Sequence, residues 1–311
     1  MGAYKYLMIS FALCNILYAS TEFISKPDVH IYANTYMAYS RGFLKHEMPW
    51  GFLSLCVFIG MYGMNTALLA THFIYRYILL CRLNLHFILT QSISGLVAGS
   101  SVLFWGFTYG SITYYCFCAT EEFYRYAGPN VQEILHEDIR ELSLFCVFAY
   151  EVIQDTAIIY WRPTIGLFIM VVMMSVSFTV MVLCGIMMCR TLRKTTMSKK
   201  SKSVQKQLLK ALVVQAIVPF LMSYLPRFAM FFFVLMGYPA FRIYTLVPLI
   251  MTSYTVIDPI TIILFVRDYR EAVSCAHRKY LPNAQVAQSA SAKLSLNTNV
   301  HFANPVSAPS C

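Results

Sequence analysis

The chain has 311 residues, of which 58% are hydrophobic and only 12% are charged, and its formal net charge is +10 at pH 7. A soluble domain typically carries about a quarter charged residues, so this composition excludes a single water-soluble globule and favours an integral membrane protein. Because excess lysine and arginine in such a protein usually lies in cytoplasmic loops, the positive charge does not indicate a nucleic-acid partner.

Long apolar runs predict an all-α integral membrane fold, because each run reaches the roughly 20 residues that a bilayer-spanning helix requires. In chain order, the six predicted spans are 6–24, 48–75, 86–110, 164–189, 208–236 and 243–266. A cleaved signal peptide is the alternative for 6–24, although the apolar run continues past Ala19, where the small residues of a cleavage site lie. The sequence shows no internal repeat.

The charged residues of the connecting segments predict the orientation of the spans. Residues 190–210 contain eight lysines and arginines and no acidic residue, whereas 118–162 contains eight acidic residues and three arginines. Positively charged loops remain in the cytoplasm. We therefore expect 118–162 to be extracellular, as a solvated acidic face, and 190–207 and the C-terminus to be cytoplasmic.

The sequence after the last span predicts two further segments of a bundle that covers 1–281. In 267–281, Tyr269, Val273, Ala276 and Tyr280 recur at helical spacing, which is typical of a short helix on the membrane surface. Residues 282–311 are rich in serine, alanine and asparagine and lack a helical period, so they predict a disordered cytoplasmic tail.

The polar residues do not form a pattern that indicates catalysis. There is no Ser/His/Asp constellation, no pair of carboxylates, no metal-binding cluster and no glycine-rich phosphate loop, so we expect neither an enzyme nor a cofactor or metal. Three cysteines fall in the predicted extracellular connection. We therefore predict a disulfide between Cys146 and either Cys116 or Cys118.

Several residues in or beside the spans carry information beyond topology. Arg76 lies at the predicted cytoplasmic end of the second span, where composition alone favours a side chain that reaches the lipid headgroups. Asp258 lies within the last span, and an ionisable group there indicates function or pairing. Pro219 and Pro226 are seven residues apart on nearly one helix face, which predicts a bent fifth span.

Four segments of the chain resemble blocks of one receptor family. They are "GAYKYLMISFA" (2–12), "HFIYRY" (72–77), "VQKQLLKALVVQAIVPFLMSYLP" (204–226) and "IDPITIILFVRDYREAV" (257–273). In this order and spacing they are similar to the nematode seven-transmembrane chemoreceptors of the Str type. The resemblance implies a helical bundle like that of G-protein-coupled receptors, in which the six predicted spans correspond to helices 2–7. On this correspondence we expect the first helix of the family to have no counterpart among these residues.

The resemblance also implies a mechanism. A small-molecule odorant or chemical cue binds from outside, and the cytoplasmic face activates a heterotrimeric G protein at the plasma membrane, in the cilium of a sensory neuron. We expect coupling residues at His72, Arg76, Tyr77, Asp258 and Pro259, and a bend in the sixth helix at Pro219 and Pro226. The expected ligand contacts are Tyr62, Asn65, Tyr224 and Tyr244.

Two questions stay open at the level of the sequence. Arg227, late in the predicted fifth span, either attracts an anionic group or anchors the helix at the membrane interface. The whole chain is either a signalling receptor or an N-terminally truncated, non-signalling six-span relic. A transporter or channel is less favoured, because many transporters are built from repeated halves and this sequence shows no internal repeat.

Overall fold

The computed structural model describes residues 2–81, 92–154, 156–194 and 199–237, together with the single residues 250, 253, 257, 260 and 264. The chain divides into two compact units, Met1–Pro259 and Ile260–Cys311. The predicted surface helix 267–281 and tail 282–311 lie outside the described residues, as does most of the predicted span 243–266.

Long helices dominate the first unit. In chain order they are α1 (Gly2–Ser25), α2 (Trp50–Cys81), α3 (Ser92–Cys116), α4 (Glu121–Leu135), α5 (Trp161–Lys194), α6 (Lys199–Pro219) and α7 (Leu225–Leu235). A π-helical turn, Phe220–Tyr224, joins α6 and α7 into one continuous helix.

Four helices in the described ranges are long and apolar enough to cross a membrane. They are Tyr6–Ser25, Trp50–Cys81, Trp161–Lys194 and Gln205–Phe233, and they match the predicted spans 6–24, 48–75, 164–189 and 208–236. The helix α3 has 25 residues and takes the place of the predicted span 86–110, but it falls outside this group. About half of its residues are serine, glycine, tyrosine or tryptophan, which makes it less apolar. The predicted number of six spans therefore stays a prediction.

The helix α2 packs against three others: α1, α3 and α5. Its contact with α3 runs through glycines. A Cβ atom added to Gly60 would lie 3.1 Å from the carbonyl oxygen of Gly106 on the facing helix, and one added to Gly110 would lie 3.3 Å from the carbonyl oxygen of Cys56. Small residues at such a crossing let two helix backbones approach closely, as is common between membrane helices.

Two small antiparallel sheets correct the all-α prediction. The strands β1 (Pro27–Tyr32), β2 (Thr35–Ser40) and β3 (Leu144–Phe148) form one sheet, and β4 (Tyr150–Ile153) and β5 (Thr156–Ile159) form a hairpin. Between β1 and β2 the chain turns at Ala33 and Asn34, and Ala33 adopts a left-handed φ of 47°. Aromatic and β-branched residues around this turn favour strands.

The sheet β1–β2–β3 and the helix α4 pack together into a small layer, which we call the cap. Thr120 caps the start of α4, and Phe123, Ala127 and Val131 follow at intervals of four residues along one buried helix face. This face packs on side chains from the strands, among them Met37, Tyr39, Leu144, Cys146 and Phe148. The predicted extracellular connection 118–162 is therefore largely folded.

Ion pairs hold the edge of the cap. Lys45 donates to Glu137 with an Nζ–Oε1 distance of 2.6 Å, and Arg140 donates to both carboxylate oxygens of Glu121 at 3.0 and 2.6 Å. These hydrogen bonds lower the pKa of the Glu137 and Glu121 carboxyl groups. The expectation of a simple solvated acidic face is thus incomplete, since some of its carboxylates are paired.

Candidate ligand cavity and coupling end

A cavity of about 90 Å³ lies beneath the cap, between its sheet and the transmembrane helices. Its walls come from α1, α2, α3, α5 and α7 and are almost entirely apolar or aromatic. Ligand sites are typically enclosed, apolar cavities with a few placed polar groups. The position and lining of this cavity fit that description.

The cap sheet forms the roof of the cavity through the alternation of its side chains. Tyr36 and Ala38 of β2 and Phe145 of β3 line the cavity, whereas Met37 and Tyr39 point to the core around α4. Successive side chains of a strand point to opposite faces, so a single register fixes both sets. The roof is therefore held in place by the packing of α4 behind it.

Arg227 of α7 brings a positive charge to the cavity. Its guanidinium carbon lies 3.9 Å from the centroid of the Tyr62 ring, and the group also contacts the hydroxyl of Tyr18. A cation over an aromatic face is favourable, and more so away from water. Glu22 of α1 also lines the cavity, so it has one acidic and one basic side chain.

The four predicted ligand contacts have different outcomes. Tyr62 lines the cavity, and Tyr224 packs edge-to-face on the Tyr62 ring at 5.9 Å without lining the cavity itself. Asn65 is buried on α2 but is not part of the wall, and Tyr244 lies outside the described residues. Sequence reasoning missed Tyr36 and Tyr109. The alternation in "HIYANTYMAYS" is the signal that identifies a hairpin and hence Tyr36.

The predicted coupling residues lie at the other end of α2. His72 is 1% exposed and Arg76 is 8% exposed, so protein rather than lipid surrounds both side chains. His72 donates to the carbonyl oxygen of Leu7 at 3.2 Å and packs on the Phe11 ring, which ties α1 to α2. This burial contradicts a headgroup anchor as the role of Arg76. Tyr77 is half-buried, and Asp258 and Pro259 lie outside the described residues.

The two prolines of the predicted bent helix flank an irregular turn. Pro219 is the last residue of α6 and Pro226 is the second residue of α7, with the π-helical turn Phe220–Tyr224 between them. The backbone N–H of Leu225 donates to the carbonyl of Phe220, five residues earlier. Such turns are rare and often lie at functional sites.

The three cysteines of the predicted disulfide meet at one place. Cys116, Cys118 and Cys146 all line a cavity of about 140 Å³ at the junction of α3, the cap and α5. All three are free thiols in this structure. Burial raises the pKa of the Cys146 thiol, which lowers the fraction of reactive thiolate. The pairing stays a prediction.

Comparison with known proteins adds an independent finding. The family described as "Serpentine type 7TM GPCR chemoreceptor Str" matches residues 1–274. The chain is 28% identical over 282 residues to "Serpentine receptor class r-10" of Caenorhabditis elegans, a match that covers 88% of this chain and 81% of the relative. It is also 26% identical over 294 residues to "G-protein coupled receptor str-33" of the same species, covering 88% and 81%.

These relatives and the family match agree with the long apolar helices of the chain. The family consists of membrane receptors for chemical signals, not of enzymes. The chain belongs to the Str family of serpentine seven-transmembrane G-protein-coupled chemoreceptors.

Proposed function

We propose that this chemoreceptor binds a small odorant in the cavity beneath the cap and activates a heterotrimeric G protein at the opposite end of the bundle. The observation that carries the proposal is the roofed aromatic cavity with Arg227 in its wall. Its position beneath a folded extracellular layer suits a ligand that arrives from outside. The proposed location is the plasma membrane of a sensory cilium, with 118–162 outside and 190–207 and the C-terminus inside.

The cavity limits the size and chemistry of the ligand. An apolar cavity of about 150 Å³ holds benzene, and this one measures about 90 Å³. By this comparison, a ligand of about four non-hydrogen atoms fits without large rearrangement. Because Arg227 and the tyrosine hydroxyls supply hydrogen-bond donors, the ligand carries a carbonyl, carboxylate or similar acceptor.

The proposed switch extends from the π-helical turn between α6 and α7 to the inner end of α2. Ligand binding shifts the receptor toward an active arrangement only if the ligand contacts that arrangement more favourably than the resting one. The π-helical turn, Phe220–Tyr224, is a suitable point for such a change, because it directly precedes Arg227 and α7. We assign Arg76 and Asp258 to the G-protein side of the switch.

A signalling assay tests this proposal. The receptor is expressed with a G-protein reporter and exposed to a panel of small volatile carbonyl compounds and acids. Arg227→Gln and Tyr36→Ala are expected to reduce the potency of an active compound at least tenfold, because each removes part of the cavity wall. Arg162→Gln, at the exposed outer end of α5, is the matched control and retains potency.

The same assay examines the coupling end. Arg76→Gln and Asp258→Asn are expected to abolish the response while surface labelling and ligand binding persist. Normal signalling after both changes contradicts the switch role. If the wild-type receptor reaches the cell surface and answers no compound in the panel, the result favours the alternative of a non-signalling relic.

A further inference from the structure

A second cavity lies between α5 and α6, with α2 behind it, and measures about 590 Å³. Its apolar wall includes Val182 and Ile186 of α5 and Val213 and Ile217 of α6, with Phe73 of α2 at its base. Val182, Ile186 and Ile217 are 41%, 44% and 48% exposed, so the cavity opens to the surroundings of the bundle. In a bilayer these surroundings are lipid.

The wall of this cavity changes from apolar to basic toward one end. On α5, Val182, Ile186, Arg190 and Arg193 follow at intervals of four, four and three residues, which places them on one helix face. Both arginines line the cavity. The basic end follows directly after the apolar run 164–189, where the hydrocarbon core gives way to headgroups.

The facing helix shows the same change. Val213 and Ile217 of α6 lie four residues apart in the wall, and Lys210 and Lys206 precede Val213 by three and seven residues on the same helix face. Since α5 and α6 follow each other in the chain and run in opposite directions through the predicted membrane, their basic ends coincide. The groove is thus apolar along its length and doubly basic at its mouth.

The stretch of sequence that carries this mouth lacks acidic residues. The sequence from 156 to 257 contains no aspartate or glutamate. Among the residues that the structure describes, the ion pairs lie in and around the cap, and none includes Arg190 or Arg193. Phosphate is a preferred partner of arginine, so an anionic phosphate group would complement these two side chains.

We infer that the groove between α5 and α6 binds an anionic phospholipid of the cytoplasmic leaflet, with an acyl chain along the apolar wall and the phosphate headgroup at Arg190 and Arg193. From Arg190 back to Phe178 the groove extends twelve residues, or about 18 Å at 1.5 Å per residue. This length is comparable with one leaflet, which is half of a hydrocarbon core of about 30 Å. The cytoplasmic leaflet is the one that carries anionic lipid.

The inference goes beyond the proposed function, since it concerns neither the odorant nor the G protein, although it uses the proposed orientation. A lipid at this position touches α5 and α6 at once. It therefore stabilises the arrangement of the two helices in which the groove has its present width. Anionic lipid in the inner leaflet then acts as a second ligand of the receptor.

Binding of soluble short-chain lipids to the purified full chain in neutral detergent tests the inference. The probe is dioctanoyl phosphatidylinositol bisphosphate, and the readouts are its affinity by native mass spectrometry and the thermal unfolding temperature of the receptor. We expect saturable binding and a raised unfolding temperature. Dioctanoyl phosphatidylcholine and the free inositol phosphate headgroup are expected to bind at least tenfold more weakly, because each lacks one half of the ligand.

Two variants and one control locate the site. Each arginine near an anionic headgroup contributes about 1 kcal/mol, so Arg190→Gln with Arg193→Gln is expected to weaken binding about 30-fold. Ala216→Trp narrows the groove without changing charge and is also expected to weaken binding. Arg162→Gln, on the same helix at its other end, is expected to bind like wild type.

Several results overturn the inference. If the neutral lipid binds as tightly as the anionic lipid, the basic mouth does not contribute to binding. If the free headgroup binds as tightly as the whole anionic lipid, the site binds only phosphate and not an acyl chain. Unchanged binding in both the arginine and the tryptophan variants places the lipid elsewhere. These readouts need no odorant and no G protein, so a failure here is distinct from a failure of the proposed function.

Discussion

Two neighbouring buried polar side chains on α2 differ in their hydrogen bonds. Thr66 accepts a hydrogen bond from the Tyr224 hydroxyl at 3.1 Å and donates to the carbonyl of Tyr62 at 3.0 Å. Asn65, 7% exposed, has no hydrogen-bond partner for either its amide nitrogen or its oxygen among the described residues. A buried amide without a partner costs about 1–3 kcal/mol.

Replacement of these two residues by their apolar isosteres is therefore expected to have opposite effects. Asn65→Leu is expected to raise the free energy of unfolding by about 1 kcal/mol, because it removes an unsatisfied amide of similar shape. Thr66→Val is expected to lower it by about 1 kcal/mol, because the Tyr224 hydroxyl loses its acceptor. Thermal unfolding in detergent measures both. A destabilised Asn65→Leu protein means that the amide has a partner, such as a bound water.

For individual residues, the sequence predicted the helix on which each lies better than the residues that it contacts. Tyr62, Arg76 and His72 lie on α2, the helix of the predicted second span, and Tyr62 lines the cavity. His72 donates a hydrogen bond to the backbone of Leu7, which lies 65 positions away. Hydropathy and spacing report on a single helix, and they contain no information about which neighbour covers a given face.

The contact between α2 and α3 depends on the absence of side chains at particular glycines. A Cβ atom on Gly106 would lie 2.9 Å from the carbonyl oxygen of Gly60 and would also meet the Met64 side chain. A Cβ atom on Gly99, two turns earlier in α3, would meet nothing within 4 Å. Gly106 is therefore required for the close approach of the two helices, and Gly99 is not.

Alanine at these two positions separates packing from helix propensity. Gly106→Ala is expected to lower the free energy of unfolding by about 1–3 kcal/mol, because the helices must move apart. Gly99→Ala is the matched control and is expected to leave stability unchanged or slightly raised, since alanine favours a helix more than glycine does. A thiol-reactive dye that reports exposure of the buried Cys14, Cys56 and Cys146 on heating gives the measurement. Equal effects of the two changes contradict the close contact.

Elements within the membrane were more predictable than those outside it. The apolar runs predicted four helices that the structure contains, because twenty apolar residues leave a chain in a bilayer few alternatives. The strands of the cap were missed, since β3 pairs with β2 across more than 100 residues of sequence. Charge counting treated this region as loop. It therefore also missed the roof of the cavity and Tyr36.

At the scale of the whole molecule, the proposed ligand end and the proposed coupling end share one helix. The roofed cavity and the buried His72 and Arg76 share α2, which contacts α1, α3 and α5 along its length. Packed helices transmit a change as rigid elements with discrete arrangements. The proposed odorant site and the proposed G-protein site would be physically connected in this way, provided that the cap faces outward and the basic ends of α5 and α6 face inward.

The orientation has a direct test in Cys118, an exposed thiol beside the cap. We expect a membrane-impermeant maleimide to label Cys118 on intact cells without prior reduction, because the positively charged segment 190–210 holds the other end of α5 in the cytoplasm. Cys118→Ser is expected to remove the label, which shows that the reagent reads this position.

The remaining outcomes of the labelling experiment are each decisive. Label that appears on intact cells only after reduction keeps the orientation and shows that Cys118 is in a disulfide, as one of the two predicted bridges to Cys146 requires. Label that appears only after the cells are permeabilised shows that the orientation is the reverse of the predicted one. The cap and its cavity then lie in the cytoplasm. An inverted cap removes the route by which an external odorant reaches Arg227, and it puts the basic mouth of the α5–α6 groove against the outer leaflet, where anionic lipid is scarce.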